Sequence, residues 1–201
     1  MKYGKLPMRI FDWNNKPLVF QIGEFDVQWV TSPQTDLWQK TYYGFSIANA
    51  PLWYYTPEGD FTFSVCVASA ACHLYDQAGL VLMSDEENWV KASVEYENQH
   101  FGRLGSVVSR LGYSDWASVD IPYTSASKWF RISRLANDFL LEYSDDGFAF
   151  FQMRMFHMPE ANSTPKVGVY ACSPGNSSFN AHFSDFRLSP TLWTHFSPID
   201  V

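Results

Sequence analysis

Trp89, Lys91, Ser93 and Glu95 occupy alternate positions of the segment WVKASVEY, Trp89 to Tyr96. Side chains in a β-strand alternate between its two faces, so these four share one face and Val90, Ala92, Val94 and Tyr96 share the other. An indole to stack on a flat ring, with an ammonium and a carboxylate to orient it, are the parts of a polar-ligand site. The segment KWFRISR, Lys128 to Arg134, repeats the pattern with Trp129, Arg131 and Ser133 on one face. The ligand-binding residues read from this pattern are Trp89, Lys91, Glu95 and Arg131, with Tyr113 and Trp116 as the rim. Trp38 and Tyr54 are further aromatic candidates. The ligand expected is a carbohydrate or a similar polar small molecule.

Other chemistries find less support. Glycoside hydrolysis needs two carboxyl groups about 5–5.5 Å apart for retention or about 6.5–9.5 Å for inversion. Glu95 and Glu97, two apart on a strand, fall near ~6.7 Å. Glu97 adjoins the Asn98 turn, which places it at a solvated strand end, so no catalytic residue is assigned. The acidic run Asp85, Glu86, Glu87, Asn88 lacks the alternating order of a calcium loop and reads as a turn whose side chains hold its own backbone. His73, His100, His157, His182 and His195 form no HExxH or HxH pair, so neither a metal centre nor a cofactor is expected. There is no GxSxG elbow and no glycine-rich phosphate loop. Cys66, Cys72 and Cys172 have no CxxC spacing and read as buried thiols of a reducing compartment.

The elements that must carry these residues are strands. Phe61 to Ala68 alternates cleanly, and Gly79 to Met83 is apolar throughout, the mark of a strand covered on both faces. Further strands are expected within Leu18 to Thr31, over Leu52 to Tyr55, and over Trp89 to Tyr96 and Leu104 to Ser109. Lys128 to Arg134, Asp138 to Tyr143, Phe148 to Met155, Val167 to Ala171 and Asn180 to Leu188 complete the set. Ser144–Asp145–Asp146–Gly147 is a hairpin turn. Thr35 to Tyr55 is irregular and reads as a loop leading into the strand over Leu52 to Tyr55, and Gly112, Ser114 and Asp115 of LGYSDWASVDIP suggest a bulge or tight loop presenting Trp116. No stretch sustains a helical period over twelve residues. Ten or more short strands at regular spacing predict an all-β jelly-roll β-sandwich.

Ordered segments along the chain resemble a known family. They are TDLWQKTYYGF from Thr35, YDQAGLVLMSDEENWVKASVEYE from Tyr75, SVVSRLGYSDWASV from Ser106, WFRISR from Trp129, EYSDDG from Glu142 and VGVYACSP from Val167. The set resembles a family of unknown function with the concanavalin A-like lectin/glucanase fold, the family that includes the fungal regulation-of-enolase protein. The GL strand followed by DEENW is also similar to the non-catalytic sandwich domain of some bacterial β-xylosidases. The resemblance implies two antiparallel sheets with one concave face, and no agreed activity. The laminarinase-type hydrolases of this fold carry an ExDxxE strand, which this chain lacks.

The whole chain, residues 1–201, is expected to form one domain with its core over about 18–190. A formal charge of −7 opposes nucleic-acid backbones and anionic membrane surfaces. The first twenty residues mix Lys2, Lys5, Arg9, Asp12 and Lys16 among apolar ones and do not read as a leader, so a cytoplasmic location is expected. Seventeen Phe, eleven Tyr and eight Trp suit either a ligand cleft or a protein partner, including a second copy of the chain.

Overall fold

The computed structural model describes residues 4–124, 127–161 and 164–194; His195 lies outside them. Seventeen strands are present among the described residues: β1 (Gly4–Lys5), β2 (Asp12–Asn14), β3 (Phe20–Ile22), β4 (Asp26–Val30), β5 (Leu37–Gln39), β6 (Ser46–Ala48), β7 (Leu52–Tyr55), β8 (Phe61–Ser69), β9 (Gln77–Met83), β10 (Trp89–Tyr96), β11 (Phe101–Arg110), β12 (Tyr113–Pro122), β13 (Lys128–Leu135), β14 (Asp138–Ser144), β15 (Phe151–His157), β16 (Lys166–Cys172) and β17 (Asn180–Pro190). One sheet runs β15-β14-β13-β8-β17-β4-β3, with β1 added beside β17. The other runs β12-β11-β10-β9-β16-β7-β2, and β5 pairs β6 in a separate hairpin. Every strand pair is antiparallel, as expected of a jelly-roll sandwich.

Alternation decides what each sheet buries. Leu80, Leu82, Val90 and Ala92 of one sheet meet Phe63, Val65, Phe130, Ile132 and Phe183 of the other in a continuous apolar core. Full burial of one such large side chain is worth roughly 1.5–3 kcal/mol. A second cluster sits on the far side of the same sheet, where Leu37, Trp38, Val81, Met83, Trp89, Val107 and Tyr170 pack together. The strand β9 is therefore buried at every residue, which explains its unbroken apolar run.

The DEENW turn braces this face. Asp85 Oδ1 accepts hydrogen bonds from the backbone N–H of Glu87 (2.8 Å) and Asn88 (2.9 Å) and from Asn88 Nδ2 (2.9 Å). Asn88 Oδ1 then accepts from the Leu111 N–H at 2.9 Å, docking this turn on the next one. Asp85→Ala should cost about 2 kcal/mol by orphaning these donors. A urea midpoint unchanged from wild type would show that the turn holds itself by other means.

Two loop expectations are corrected. Tyr113 to Pro122 is a ten-residue strand in continuous register with β11, joined by a two-residue turn at Leu111 (φ 51°) and Gly112 (φ 74°). It is an exposed edge strand, so it lacks the apolar alternation that marks a half-buried one. The expected loop between Thr35 and Leu52 contains β5, β6 and the turn between them, strands of three residues that are too short to show a period. Lys40 (φ 49°) and Tyr42 (φ 63°) hold left-handed conformations in that turn, which is closed by hydrogen bonds from Lys40 N–H to Phe45 C=O (2.8 Å) and from Gly44 N–H to Lys40 C=O (2.7 Å). Cys66 and Cys172 are buried as expected, whereas Cys72 is exposed.

Candidate functional site

The outer face of the seven-stranded sheet can be read as transverse rows. One row is Val81–Lys91–Val107–Trp116, the next is Tyr170–Gly79–Ser93–Gly105–Ser118, and the third is Cys172–Gln77–Glu95–Arg103–Asp120. The middle row has its smallest residues at its centre, so the sheet dips there. A cavity of about 470 Å³ opens over it, floored by Lys91, Ser93, Glu95 and Gly105. Its walls are Trp38, Tyr43 and Phe45 from the β5–β6 hairpin, Tyr75 from the loop before β9, and Trp116 from β12. A Cβ on Gly105 would lie 2.9 Å from Ala117 O and 3.1 Å from Trp116 Nε1, so a side chain there would intrude on that wall. Tyr75 sits at φ 71°, a strained conformation for a bulky residue, at the cavity edge.

The polar floor is a linked set. Lys91 is 4% exposed, its Nζ is 3.4 Å from Asp36 Oδ1, and it lies 5.9 Å and 5.7 Å from the ring centroids of Trp89 and Tyr170. Tyr170 Oη donates to Gln77 Oε1 (2.8 Å), and Gln77 Nε2 donates to Glu95 Oε2 (2.9 Å). Glu95 Oε1 is buried with no protein partner. Burial, the largest cause, raises the Glu95 carboxyl from 4.5 to about 7; Asp36 and Glu97 add to the rise, while Lys91 and Arg103 oppose it. The Glu97 side chain is only 11% exposed, with Oε1 lying 3.0 Å from Arg103 Nε, which corrects its reading as a solvated strand-end residue. Arg103 also sits 5.3 Å from the Trp116 ring centroid.

The structure brings together Lys91, Glu95 and Trp116 of the expected residues, with Trp38 of the two further aromatic candidates. Trp89 is fully buried beneath them, its Nε1 donating to Glu86 O at 3.1 Å. It supports Lys91 and presents no ring to a ligand, because the β5–β6 hairpin covers that end of the face. Tyr113 is exposed outside the cavity with Lys40 Nζ 5.1 Å from its ring centroid, and Tyr54 lies beyond it under Lys166. Arg131 belongs to the opposite sheet. Its strand pairs with β8 and β14, so its outward face lies across the sandwich from the cavity. There Arg131 makes a bidentate pair with Glu142 (2.6 and 2.8 Å) and lines a smaller cleft of about 180 Å³. Asp36, Tyr43, Phe45, Tyr75, Gln77 and Arg103 are cavity residues that the strand pattern did not single out.

A ligand-atom cluster lies elsewhere, where Cys72, His73 and Asp76 bring one atom each within 4.8 Å of one another. Asp76 is already committed, since its Oδ2 accepts from the His73 N–H (3.0 Å) and its Oδ1 from Ser177 Oγ (2.8 Å). The geometry of a buried turn brace accounts for the carboxylate.

With this geometry in view, relatives can be compared. The model for the protein family of unknown function DUF1349 matches residues 13–191. The chain belongs to that family. It is 30% identical over 182 residues to regulation of enolase protein 1 of Saccharomyces cerevisiae, covering 90% of this chain and 89% of that one. The crystal structure of a functionally unknown protein from the same yeast superposes with a TM-score of 0.87 at 27% identity, over 94% of this chain and 100% of that chain. A xylan β-1,4-xylosidase from Bacillus halodurans shares the fold over 82% of this DUF1349 chain but 32% of its own, with a TM-score of 0.66 and 13% identity. The exoplasmic/lumenal domain of VIP36, in a Ca²⁺/Man₃GlcNAc-bound form, shares it at 8% identity with a TM-score of 0.55, over 95% and 87% of the two chains. The fold of this DUF1349 protein is thus the β-sandwich of jelly-roll lectins and of GH43 proteins such as BlXynB of Bacillus licheniformis. No helix among the described residues is long and apolar enough to cross a membrane.

Proposed function

We propose that this protein is a ligand-binding module that takes a small carbohydrate, or a similarly polar molecule, in the cavity of its seven-stranded sheet. The observation that carries this reading is the cavity itself: about 470 Å³, walled by five aromatic rings and floored by charged and hydroxyl side chains. A cavity of that size suits a mono- to disaccharide, with rings for its apolar faces and fixed polar groups for its hydroxyls. Folds shared with VIP36 and the xylosidase agree with a sugar ligand and do not by themselves supply one.

Thermal shift against a panel of oligosaccharides tests the reading. A ligand at about 100 times its Kd adds about 2.7 kcal/mol to the folded state, a rise of several degrees in Tm. Trp116→Ala should cut the affinity about tenfold or more by removing one wall. An equal rise in wild type and Trp116→Ala would place the ligand elsewhere.

A hydrolytic second reading is favoured by one observation. A carboxyl that titrates near 7 beside a second carboxylate, Glu97, has the makings of an acid and base pair. Release of reducing ends from oligosaccharides should then vanish in Glu95→Gln. Turnover undiminished in that variant removes this reading.

A further inference from the structure

The polar atoms that the cavity leaves over indicate what a ligand must bring. Three donors on its lining are engaged: Lys91 Nζ with Asp36, Gln77 Nε2 with Glu95 Oε2, and Trp38 Nε1 with the Thr41 carbonyl (3.1 Å). Among the described residues that line the cavity, the two buried side-chain atoms without a hydrogen bond are both carboxylate oxygens, Glu95 Oε1 and Glu97 Oε1. Glu97 has an ion-pair contact with Arg103, but not with hydrogen-bond alignment. Three carboxylates (Asp36, Glu95, Glu97) face two cations (Lys91, Arg103) in the lining, and Lys91 and Arg103 are paired with Asp36 and Glu97. Glu95 is left as the lining carboxylate without an ion-pair contact of its own, Lys91 and Arg103 acting on it from farther away.

We infer that the cavity selects a ligand bearing a protonated amine, seated with its N–H groups toward Glu95 Oε1 and Glu97 Oε1 and its charge among the aromatic walls. The inference rests on the ligand-binding reading above and narrows it to amine-bearing molecules. Buried acceptors without a donor cost free energy, and an ammonium supplies several donors at once. Tyr43, Phe45, Tyr75 and Trp116 line the cavity, and an aromatic face turned toward a bound cation would attract it. A neutral polyol offers hydroxyls but leaves Glu95 either protonated or uncompensated, so a charged amine competes better for the same place. The elevated Glu95 carboxyl agrees, because burial is its main cause and a ligand cation beside the carboxylate would offset it. The amine can come from an amino sugar or from a simple aliphatic amine, and the test separates these sources.

Isothermal titration of wild type and Glu95→Gln at pH 7 uses four probes: glucose, glucosamine, N-acetylglucosamine and cadaverine. Circular dichroism first verifies that Glu95→Gln is folded. Glucosamine binding at least tenfold tighter than glucose and N-acetylglucosamine, with the preference lost in Glu95→Gln, is the expected result. Cadaverine binding that Glu95→Gln abolishes, with every sugar silent, upholds the amine inference and overturns the carbohydrate reading. Glucose or N-acetylglucosamine binding as tightly as glucosamine overturns the amine inference and leaves the carbohydrate reading standing. An amine preference that persists in Glu95→Gln also overturns the inference, and no binding of any probe overturns both.

Discussion

Lys91→Ala is expected to destabilise the protein by about 3 kcal/mol, near the lower end of the range for breaking a buried ion pair. The Lys91 side chain is 5% exposed and its Asp36 partner 15%, so neither charge has water to fall back on. Asp36 Oδ1 keeps the hydrogen bond from the Leu37 N–H at 2.7 Å, which holds the loss at that lower end. Truncating the lysine stem also empties space against Trp89, Val81 and Val107, which are buried around it. Lys91→Met separates the two effects, since it keeps most of the stem and removes only the charge. Urea denaturation at pH 7 reads all three proteins, and a loss below about 1 kcal/mol in Lys91→Ala would mean that the pair does not anchor the β5–β6 hairpin. For this reason Trp116→Ala, at a residue 36% exposed, is the better probe of ligand binding.

Glu95→Gln should have the opposite sign. The folded protein holds the Glu95 proton up to about pH 7, whereas the unfolded chain releases it near 4.5. Between those values the native state binds more protons, so stability falls as pH rises through the window and the penalty is complete above about 7. The difference of about 2.5 in pKa corresponds to about 3 kcal/mol as an order of magnitude. Glutamine keeps an acceptor for Gln77 Nε2 and cannot ionise. The variant should match wild type near pH 4.5 and exceed it by up to about 3 kcal/mol at pH 8. Parallel stability profiles across pH 4.5–8 would show that Glu95 titrates as an ordinary exposed carboxyl. A ligand cation at Glu95 would relieve the same penalty in wild type, which links this measurement to the amine inference.

Much of this architecture can be read from residue order, and the limits have physical causes. The alternation of Trp89 to Tyr96 places Lys91, Ser93 and Glu95 on one face, as the structure has them. KWFRISR alternates just as well, and Phe130 and Ile132 do point into the core. A period of two says which side chains point outward but not which sheet the strand joins, so Arg131 lands across the sandwich. Tyr43, Phe45 and Tyr75 reach the cavity from segments with positive-φ residues at Lys40, Tyr42 and Tyr75, where no periodicity exists to betray them. Arg103 could have been found. A tight turn at Asn98 to His100 sets β10 against β11 so that Glu95 faces Arg103, a register that follows from the hairpin alone. Burial of Trp89 needed knowledge of the hairpin above it, whose three-residue strands carry no pattern.

The most direct test of the central claim is a ¹H–¹⁵N correlation titration that follows the indole N–H signals of Trp38, Trp116 and Trp129 with the Gly105 amide. Saturable shifts of Trp38, Trp116 and Gly105 are expected on adding an amine-bearing sugar, while Trp129, which lines the cleft on the opposite sheet, stays still. Saturable shifts at Trp129 with none at Trp38 and Trp116 would contradict it.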